Sequence, residues 1–421
     1  MKIIIAGAGF AGLALARALN NKPGFEVLVI DKNNYHQFQP LFYQVATGSI
    51  DVSNISFPLR KVFHKSNNVR VRVANINNVD TGRKVVNTNI GAFEYDTLVI
   101  ATGANTNYFG NETLKSHCVP MKSSVEAIGL RNRLINNFEK MLQAKTPEEM
   151  ERLQTIVVVG GGATGVELSG AIAEMRKNVL PKDYPELDFS KMKIILLEGA
   201  GKTLGAMSEK SSKHSLEYLT KLGVNVELNT IVKDYDGKTI TLTNGNTIDS
   251  ELVIWAAGIS GNLIEGIDKD LIVRGNRIKV NRYNQVEGVD GVFVLGDIAY
   301  METEKYPRGH PQVANVALSQ AKLLAKNFIS GKGHSFAEQF EYKDKGSMAT
   351  VGKRMAVVDF PGDKGHFKGW IAWLIWMGLH LFLLVGVKNR IQVFVNWIYK
   401  YFTSDQNLRL MFREYTIKEN K

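Results

Sequence analysis

Apolar and polar positions in the first 31 residues alternate between two periods. Lys2–Ala6 is an apolar, β-branched run, Leu13–Asn20 repeats its apolar positions at helical spacing, and Phe25–Ile30 is apolar again before Asp31. The succession returns at Thr155–Val159, Val166–Lys177 and Lys193–Leu197, closed by Glu198. Short unbroken apolar runs alternating with helices predict strands buried on both faces of a parallel sheet, hence an α/β fold. Further strands are predicted at Val69–Ala74, Val85–Thr88, Tyr95–Ala101, Leu252–Trp255 and Arg277–Val280, and within Gly291–Ala299; a helix is predicted over Pro311–Phe328. The stretch Tyr35–Gly48 mixes aromatic and polar residues too irregularly for an amphipathic helix. Because the second succession interrupts the first, one fold is predicted to be inserted in a related one.

Each succession turns from strand to helix through glycines, Gly7-Ala8-Gly9-Phe10-Ala11-Gly12 and Gly160-Gly161-Gly162-Ala163-Thr164-Gly165. In such a cradle the first glycine makes the turn, the second admits a pyrophosphate against the backbone, and the third lets helix pack on strand. The anion rests on the helix N-terminus. Asp31 stands 19 residues beyond Gly12, near the spacing of about 20 at which an acid bonds a ribose hydroxyl. Glu198 stands 33 beyond Gly165, displaced by the insertion Arg176–Lys191. A carboxylate there repels a 2′-phosphate and favours NAD(H). Ala101-Thr102-Gly103 and Ala256-Ala257-Gly258 end later strands with small residues, so the chain can pass close to a cofactor. Gly296-Asp297 ends another, placing a carboxylate where a ribityl hydroxyl would lie, and the first turn of the following helix can present N–H groups to a flavin ring.

The fold class is therefore α/β, with two Rossmann-like dinucleotide-binding domains, the second inserted in the first, plus a C-terminal membrane-associated helical segment. The expected boundaries are 1–113 with 261–340 for the first domain, 114–260 for the second, and 341–421 for the C-terminal region. At 421 residues with 44% hydrophobic content, the chain can fill such cores. Cys118 is its one cysteine, which excludes a disulfide framework, a CxxC redox pair and a cysteine metal site; no metal centre is expected.

The net charge of +11 is uneven: residues 353–421 hold 11 Lys and Arg against 5 Asp and Glu. This excess adjoins the apolar run Trp370–Val387, flanked by Lys364 and Lys368 before it and Lys388 and Arg390 after it. A basic charge beside an apolar segment suits an anionic lipid surface, and no nucleic-acid module is present. The run is short for a span, and its symmetric flanks identify no cytoplasmic side. In Ile391–Phe402 a narrow polar stripe, Gln392, Asn396 and Lys400, marks an otherwise apolar helix. Residues from about 365 to 415 are read as a monotopic anchor, the alternatives being helices buried between two copies or a true span.

With these pieces in place, the chain resembles the type II NADH:quinone oxidoreductases, single-subunit NADH dehydrogenases that pump no protons. The most specific carriers are Phe38–Gly48, Ala163–Leu168, Val294–Asp297 and Gly346–Gly352. The resemblance implies a respiratory enzyme that passes hydride from NADH to FAD and reduces a membrane quinone, ubiquinone or menaquinone. It also implies a homodimer on the cytoplasmic face of the cell membrane. FAD would be held by Gly7, Gly9, Phe10, Ala11, Gly12, Asp31, Lys32, Thr102, Gly103, Gly296, Asp297 and Ala317, and NADH by Gly160, Gly162, Ala163, Thr164, Gly165, Glu198, Ala257 and Gly258. The flavin would be non-covalent, with His36 the nearest residue able to make an exception. Glu167 is a candidate for seating the nicotinamide, or else a first-turn acid favoured by the helix dipole.

The chain departs from the family at the quinone. Where the family helix commonly reads Ala-Gln-x-Ala-x-Gln, Asn315 and Ser319 replace both glutamines, with Gln320 next as the candidate quinone-site residue. Ala171 stands where many members carry a Glu, leaving Glu174, one turn on, as the candidate proton donor or else a solvated helix acid. The competing functions are a membrane-docked FAD/NADH-binding redox sensor and a flavoprotein reductase with another acceptor. Sulfide:quinone chemistry needs paired cysteines.

Overall fold

The strand Lys2–Ala6 forms the middle of a five-stranded sheet ordered Val292–Val294, Thr97–Ile100, Lys2–Ala6, Glu26–Asp31 and Val69–Val73, every neighbour parallel. Ile5 pairs with Val29 on one side and Val99 on the other, and the three isoleucines Ile3, Ile4 and Ile5 are fully buried. A sheet covered on both faces accounts for the unbroken apolar run. Val69–Val73 thus closes the main sheet, and Val85–Thr88 belongs to a separate antiparallel sheet with Ile76–Asp80 and Gly91–Glu94. This computed structural model describes residues 1–330 and 338–412.

A second sheet repeats the order: Val119–Pro120, Leu252–Trp255, Thr155–Val159, Lys193–Leu197 and Asn225–Glu227, again all parallel. The helices leaving the two central strands are α1 (Phe10–Leu19) and α2 (Ala163–Asn178). Both begin inside the glycine cradle, three residues before the apolar periodicity starts, because the cradle itself supplies the first turn. The helix predicted from Pro311 begins at Ala314, since Val313 is still extended (φ −132°, ψ 151°).

The chain divides into two units. The first comprises Met1–Gln37, Ser56–Asn105 and Ile259–Lys345; the second comprises Phe38–Ile55, Thr106–Gly258 and Gly346–Lys421. Besides residues 106–113, which join the second unit, two larger segments depart from the expected boundaries. Phe38–Ile55 joins the second unit because Phe42–Ala46, read from the sequence as irregular, is a short helix packed on Ser124–Met141 and α2. The C-terminal region joins it as well, through a three-stranded antiparallel sheet of Ser347–Gly352, Met355–Asp359 and His366–Lys368. Its first strand lies so close to α2 that a Cβ at Gly170 would stand 1.7 Å from the Val351 carbonyl oxygen.

Two helices follow, α3 (Gly369–Leu383) and α4 (Val387–Thr403), separated at Gly386, whose φ of +88° a glycine adopts without strain. Arg390 donates to the Phe382 and Leu384 carbonyls and so caps the last turn of α3. The apolar run expected to continue to Val387 is broken there, and no helix among the described residues is long and apolar enough to cross a membrane.

Candidate functional site

Both cradles are built by the same three contacts. Gly7 and Gly160 have φ of +103° and +111°, and a Cβ on either would strike the end of the neighbouring strand, 2.5 Å from the Ala101 oxygen or 2.7 Å from the Ala256 oxygen. At Gly12 and Gly165 a Cβ would come within 1.9 Å of the carbonyl oxygens of Gly7 and Gly160. At Gly9 and Gly162 nothing lies within 4 Å, which leaves space for a ligand to meet the backbone. Neither helix has a side-chain N-cap or an acid in its first turn, so the terminal N–H groups and the positive end of the dipole are left for an anion. These features fit a dinucleotide pyrophosphate at each cradle.

The carboxylates at the ends of the second strands are also bonded alike. Asp31 accepts from the N–H of Ala8 and of Asn33, each at 2.7 Å; Glu198 accepts from the N–H of Gly161 and, at 2.7 Å, of Ala200. Burial raises the Asp31 pKa above its ordinary value, outweighing those two N–H groups, which lower it. Lys32 beside it is exposed, while Gly162, Ala163 and Thr164 form an exposed opening to the second cradle.

The other strand-end residues lie at turns. Thr102 donates from its hydroxyl to the Asn262 carbonyl at 2.7 Å, and Asn262 returns a bond to the Thr102 carbonyl. Gly103 and Gly258 both have positive φ, +70° and +98°. Gly296 (φ +75°) donates its N–H to Gln320 Oε1 at 2.8 Å, and a Cβ on it would stand 3.4 Å from Ala317 and 3.6 Å from Ala11. Gln320, the candidate quinone-site residue, is buried in the first unit, and its side-chain carbonyl accepts from the Gly296 N–H at the Gly296-Asp297 turn. His36 Nδ1 lies 2.9 Å from the Ala8 carbonyl, its ring edge-on to Phe10, and burial lowers its pKa. Cys118 is buried, its thiol pushed up to about 12 by desolvation.

One face of α2 lines a cavity of about 100 Å³ through Glu167, Ala171, Glu174 and Asn178. The other walls come from Tyr43 and Gln44, from Thr350–Lys353, from Trp373 and Trp376 of α3, and from Trp397, Lys400 and Tyr401 of α4. Trp397 Nε1 donates to Gln44 Oε1 at 2.7 Å, and Gln44 Nε2 donates to the Tyr43 hydroxyl at 2.8 Å. These residues lie far apart in sequence, and no local motif joins them.

Glu167 and Glu174 are almost equally buried, 8% and 9% exposed, yet their partners differ. Glu167 accepts a long bond from the Thr350 N–H at 3.3 Å, and desolvation raises its pKa to about 8 despite that bond and the nearby Trp376 indole. It sits on the cavity wall against Thr350. Glu174 accepts from the Lys353 N–H and lies 3.4 Å from Lys400 Nζ. It is a buried, ion-paired cavity residue and not a solvated helix acid.

The polar stripe of α4 faces inward. Asn389 donates to the Ser53 and Asn54 carbonyls, Asn396 to Asn54 Oδ1, and Lys400 to Ser49 Oγ. The apolar side faces out, with Phe402 79% exposed and Ile391, Phe394, Val395 and Ile398 exposed beside it; α3 adds Trp370, Ile371, Leu374 and Phe382. A helix pair with its polar groups inside and large apolar side chains outside is the reverse of a water-facing surface.

Residues 1–321 match the model of the pyridine nucleotide-disulphide oxidoreductases, and residues 345–405 match that of the NDH2 C-terminal domain. A type II NADH:quinone oxidoreductase of Mycobacterium tuberculosis is 36% identical, the match covering 94% of this chain and 87% of that protein. One from Staphylococcus aureus is 28% identical over 85% of this chain and 89% of its own length. The fold is that of NDH2 from Plasmodium falciparum solved in complex with NADH, with a TM-score of 0.89 at 20% identity, covering 98% of this chain and 99% of that one. The chain belongs to the type II NADH:quinone oxidoreductases.

Proposed function

We propose that this protein oxidises NADH and reduces a membrane quinone, with FAD in the first unit and NADH in the second. The duplicated cradle carries the reading: two open glycine turns, each with a carboxylate bonded to its second residue, serve two dinucleotides. FAD would be held by Gly7, Gly9, Gly12, Asp31, Thr102, Gly103 and the Gly296-Asp297 turn; when bound it accepts a hydride from NADH and passes two electrons to quinone. Glu198 selects NADH over NADPH, because a 2′-phosphate would meet a carboxylate already fixed by two N–H groups. His36, buried and neutral, steadies the first cradle through the Ala8 carbonyl and does not attach flavin.

The cavity on α2 receives the quinone headgroup, and Glu167 holds a proton beside it at neutral pH. The apolar outer face of α3 and α4 rests in the lipid interface, with Lys364, Lys368, Lys388 and Arg390 near anionic headgroups. The protein would act as a peripheral homodimer on the cytoplasmic face, where NADH is available.

Anaerobic stopped-flow measurement tests the function. NADH should bleach a yellow protein whose flavin is released as FAD on heating, and a short-tailed quinone should restore the colour. Bleaching that quinone cannot reverse would overturn quinone reduction and favour a redox sensor, as Asn315, Ser319 and Ala171 had left open. Absence of bleaching would overturn the assignment of the cradles.

A further inference from the structure

A quinone headgroup presents carbonyl oxygens, which accept hydrogen bonds and donate none, so the wall that receives it must supply a donor. Several donors around the α2 cavity are already engaged. Trp397 Nε1 is bonded to Gln44 Oε1, Gln44 Nε2 to the Tyr43 hydroxyl and Lys353 Nζ to the Tyr401 carbonyl, while Lys400 Nζ is shared between Ser49 Oγ and Glu174. Gln406 differs. It lies just beyond α4, lines the same cavity and is 1% exposed, yet no hydrogen bond joins its carboxamide to any of the described residues, and Oε1 is shut off from solvent without a partner. A primary amide buried in that way is costly to the fold unless whatever fills the cavity supplies the missing bonds.

The backbone around Gln406 is held on both sides. Its N–H donates to Asp405 Oδ1 at 2.8 Å and its carbonyl accepts from Arg409 Nη1. Arg409 in turn reaches Asp405 at 2.9 Å and Asp183 at 3.0 Å. Leu408 donates its N–H to the Gly48 carbonyl at 3.1 Å, and a Cβ on Gly48 would stand 3.1 Å from the Leu408 backbone. The segment therefore sits directly on the loop that follows the helix carrying Tyr43 and Gln44, two other residues of the cavity wall. The neighbouring charges are spent on fixing the main chain, and the carboxamide is left for the contents of the cavity.

We propose that Gln406 is a quinone-binding residue: its Nε2–H donates to a headgroup carbonyl, and its Oε1 accepts from the hydroxyl of the quinol once that has formed. A carboxamide carries a donor and an acceptor together, so it can hold either form of the headgroup without gaining or losing a proton. The proposal rests on the quinone-reductase reading and adds to it a headgroup contact from the C-terminal segment, outside both nucleotide cradles.

The test uses the full-length FAD-loaded protein and a short-tailed ubiquinone analogue. Trp373, Trp376 and Trp397, three of the chain's five tryptophans, line the cavity, so quenching of their fluorescence reads binding without turnover. Gln406→Met, apolar and of similar length, should weaken binding of the analogue and raise its KM about tenfold, the worth of one hydrogen bond. Flavin content, bleaching by NADH and the KM for NADH should match the parent. Because the parent amide is buried unpaired, the same variant should raise the thermal midpoint of the quinone-free protein, where loss of a side chain that serves only the fold would lower it. Gln406→Asn, which keeps the carboxamide one methylene back, should bind the analogue more tightly than Gln406→Met. Unaltered binding and KM in Gln406→Met would overturn the proposal and make water the partner of the amide. A lowered midpoint would also overturn it, as would Gln406→Asn binding no better than Gln406→Met. A parent protein that neither binds nor reduces the analogue would instead remove the quinone-reductase reading, and the role of Gln406 with it.

Discussion

The two cradles share their glycine geometry and the bonds of their carboxylates, and the helices that leave them diverge at once. α1 runs ten residues and buries Leu13, Leu15, Ala16 and Leu19. α2 runs sixteen and buries two carboxylates, Glu167 and Glu174. Binding the common part of two nucleotides imposes one geometry, since the first turn needs free N–H groups and no Cβ in the way. The rest of each helix is under no such constraint, and there α2 places two carboxylates on the wall of a cavity.

The largest effects should come from the glycines that admit no side chain. Gly12→Ala and Gly165→Ala each place a Cβ 1.9 Å from a carbonyl oxygen and should destabilise the protein by about 3 kcal/mol, read from the denaturant midpoint. Gly9→Ala and Gly162→Ala put a methyl into open space and should cost under about 1 kcal/mol of stability. They should separate the cradles by ligand: Gly9→Ala should lose flavin, and Gly162→Ala should keep flavin and raise the KM for NADH. If both variants impaired the same ligand, the two cradles would not serve different nucleotides.

Next in size is the ribose carboxylate. Glu198→Ala should reduce the preference for NADH over NADPH, measured as a ratio of kcat/KM values, by roughly 30-fold, equivalent to about 2 kcal/mol. Asp31→Ala should leave that ratio alone and weaken flavin retention. A cofactor preference insensitive to Glu198 would break the equivalence of the two carboxylates.

The smallest effect per step is a pH dependence confined to α2. In the folded protein Glu167 keeps its proton up to about pH 8, whereas an unfolded glutamic acid loses it near 4.5. The folded state therefore binds the extra proton between those values, and its stability falls as pH rises through the window, by up to about 1 kcal/mol per pH unit. Glu167→Gln should remove that slope, so thermal midpoints of parent and variant should converge toward acid pH and diverge toward pH 8. Parallel curves would show that Glu167 is ionised in the fold.

How much of this could be read from the sequence follows from how local each signal is. The cradles were legible because strand, glycines, helix and carboxylate succeed one another within one supersecondary unit. The short helix Phe42–Ala46 was not, because tertiary packing on Ser124–Met141 and α2 stabilises it rather than its own periodicity. The bond from the Gly296 N–H to Gln320 was not legible, because the two residues stand 24 positions apart and periodicity does not reveal side-chain partners. The stripe of Gln392, Asn396 and Lys400 was visible, but a moment has no absolute sign. Only the acceptors Ser49 and Asn54 show that this face points into the protein.

That inward stripe sets an order of events during biogenesis. Asn389, Asn396 and Lys400 find their partners on Ser49, Ser53 and Asn54, more than three hundred positions upstream. Until that early segment has assembled, inserting α4 into lipid would carry unpaired amides and an ammonium into hydrocarbon. On the proposed interfacial docking, the C-terminal helices would make a poor tether for a nascent chain. If the outer face of these helices docks on lipid as proposed, core assembly would have to come first and attachment last.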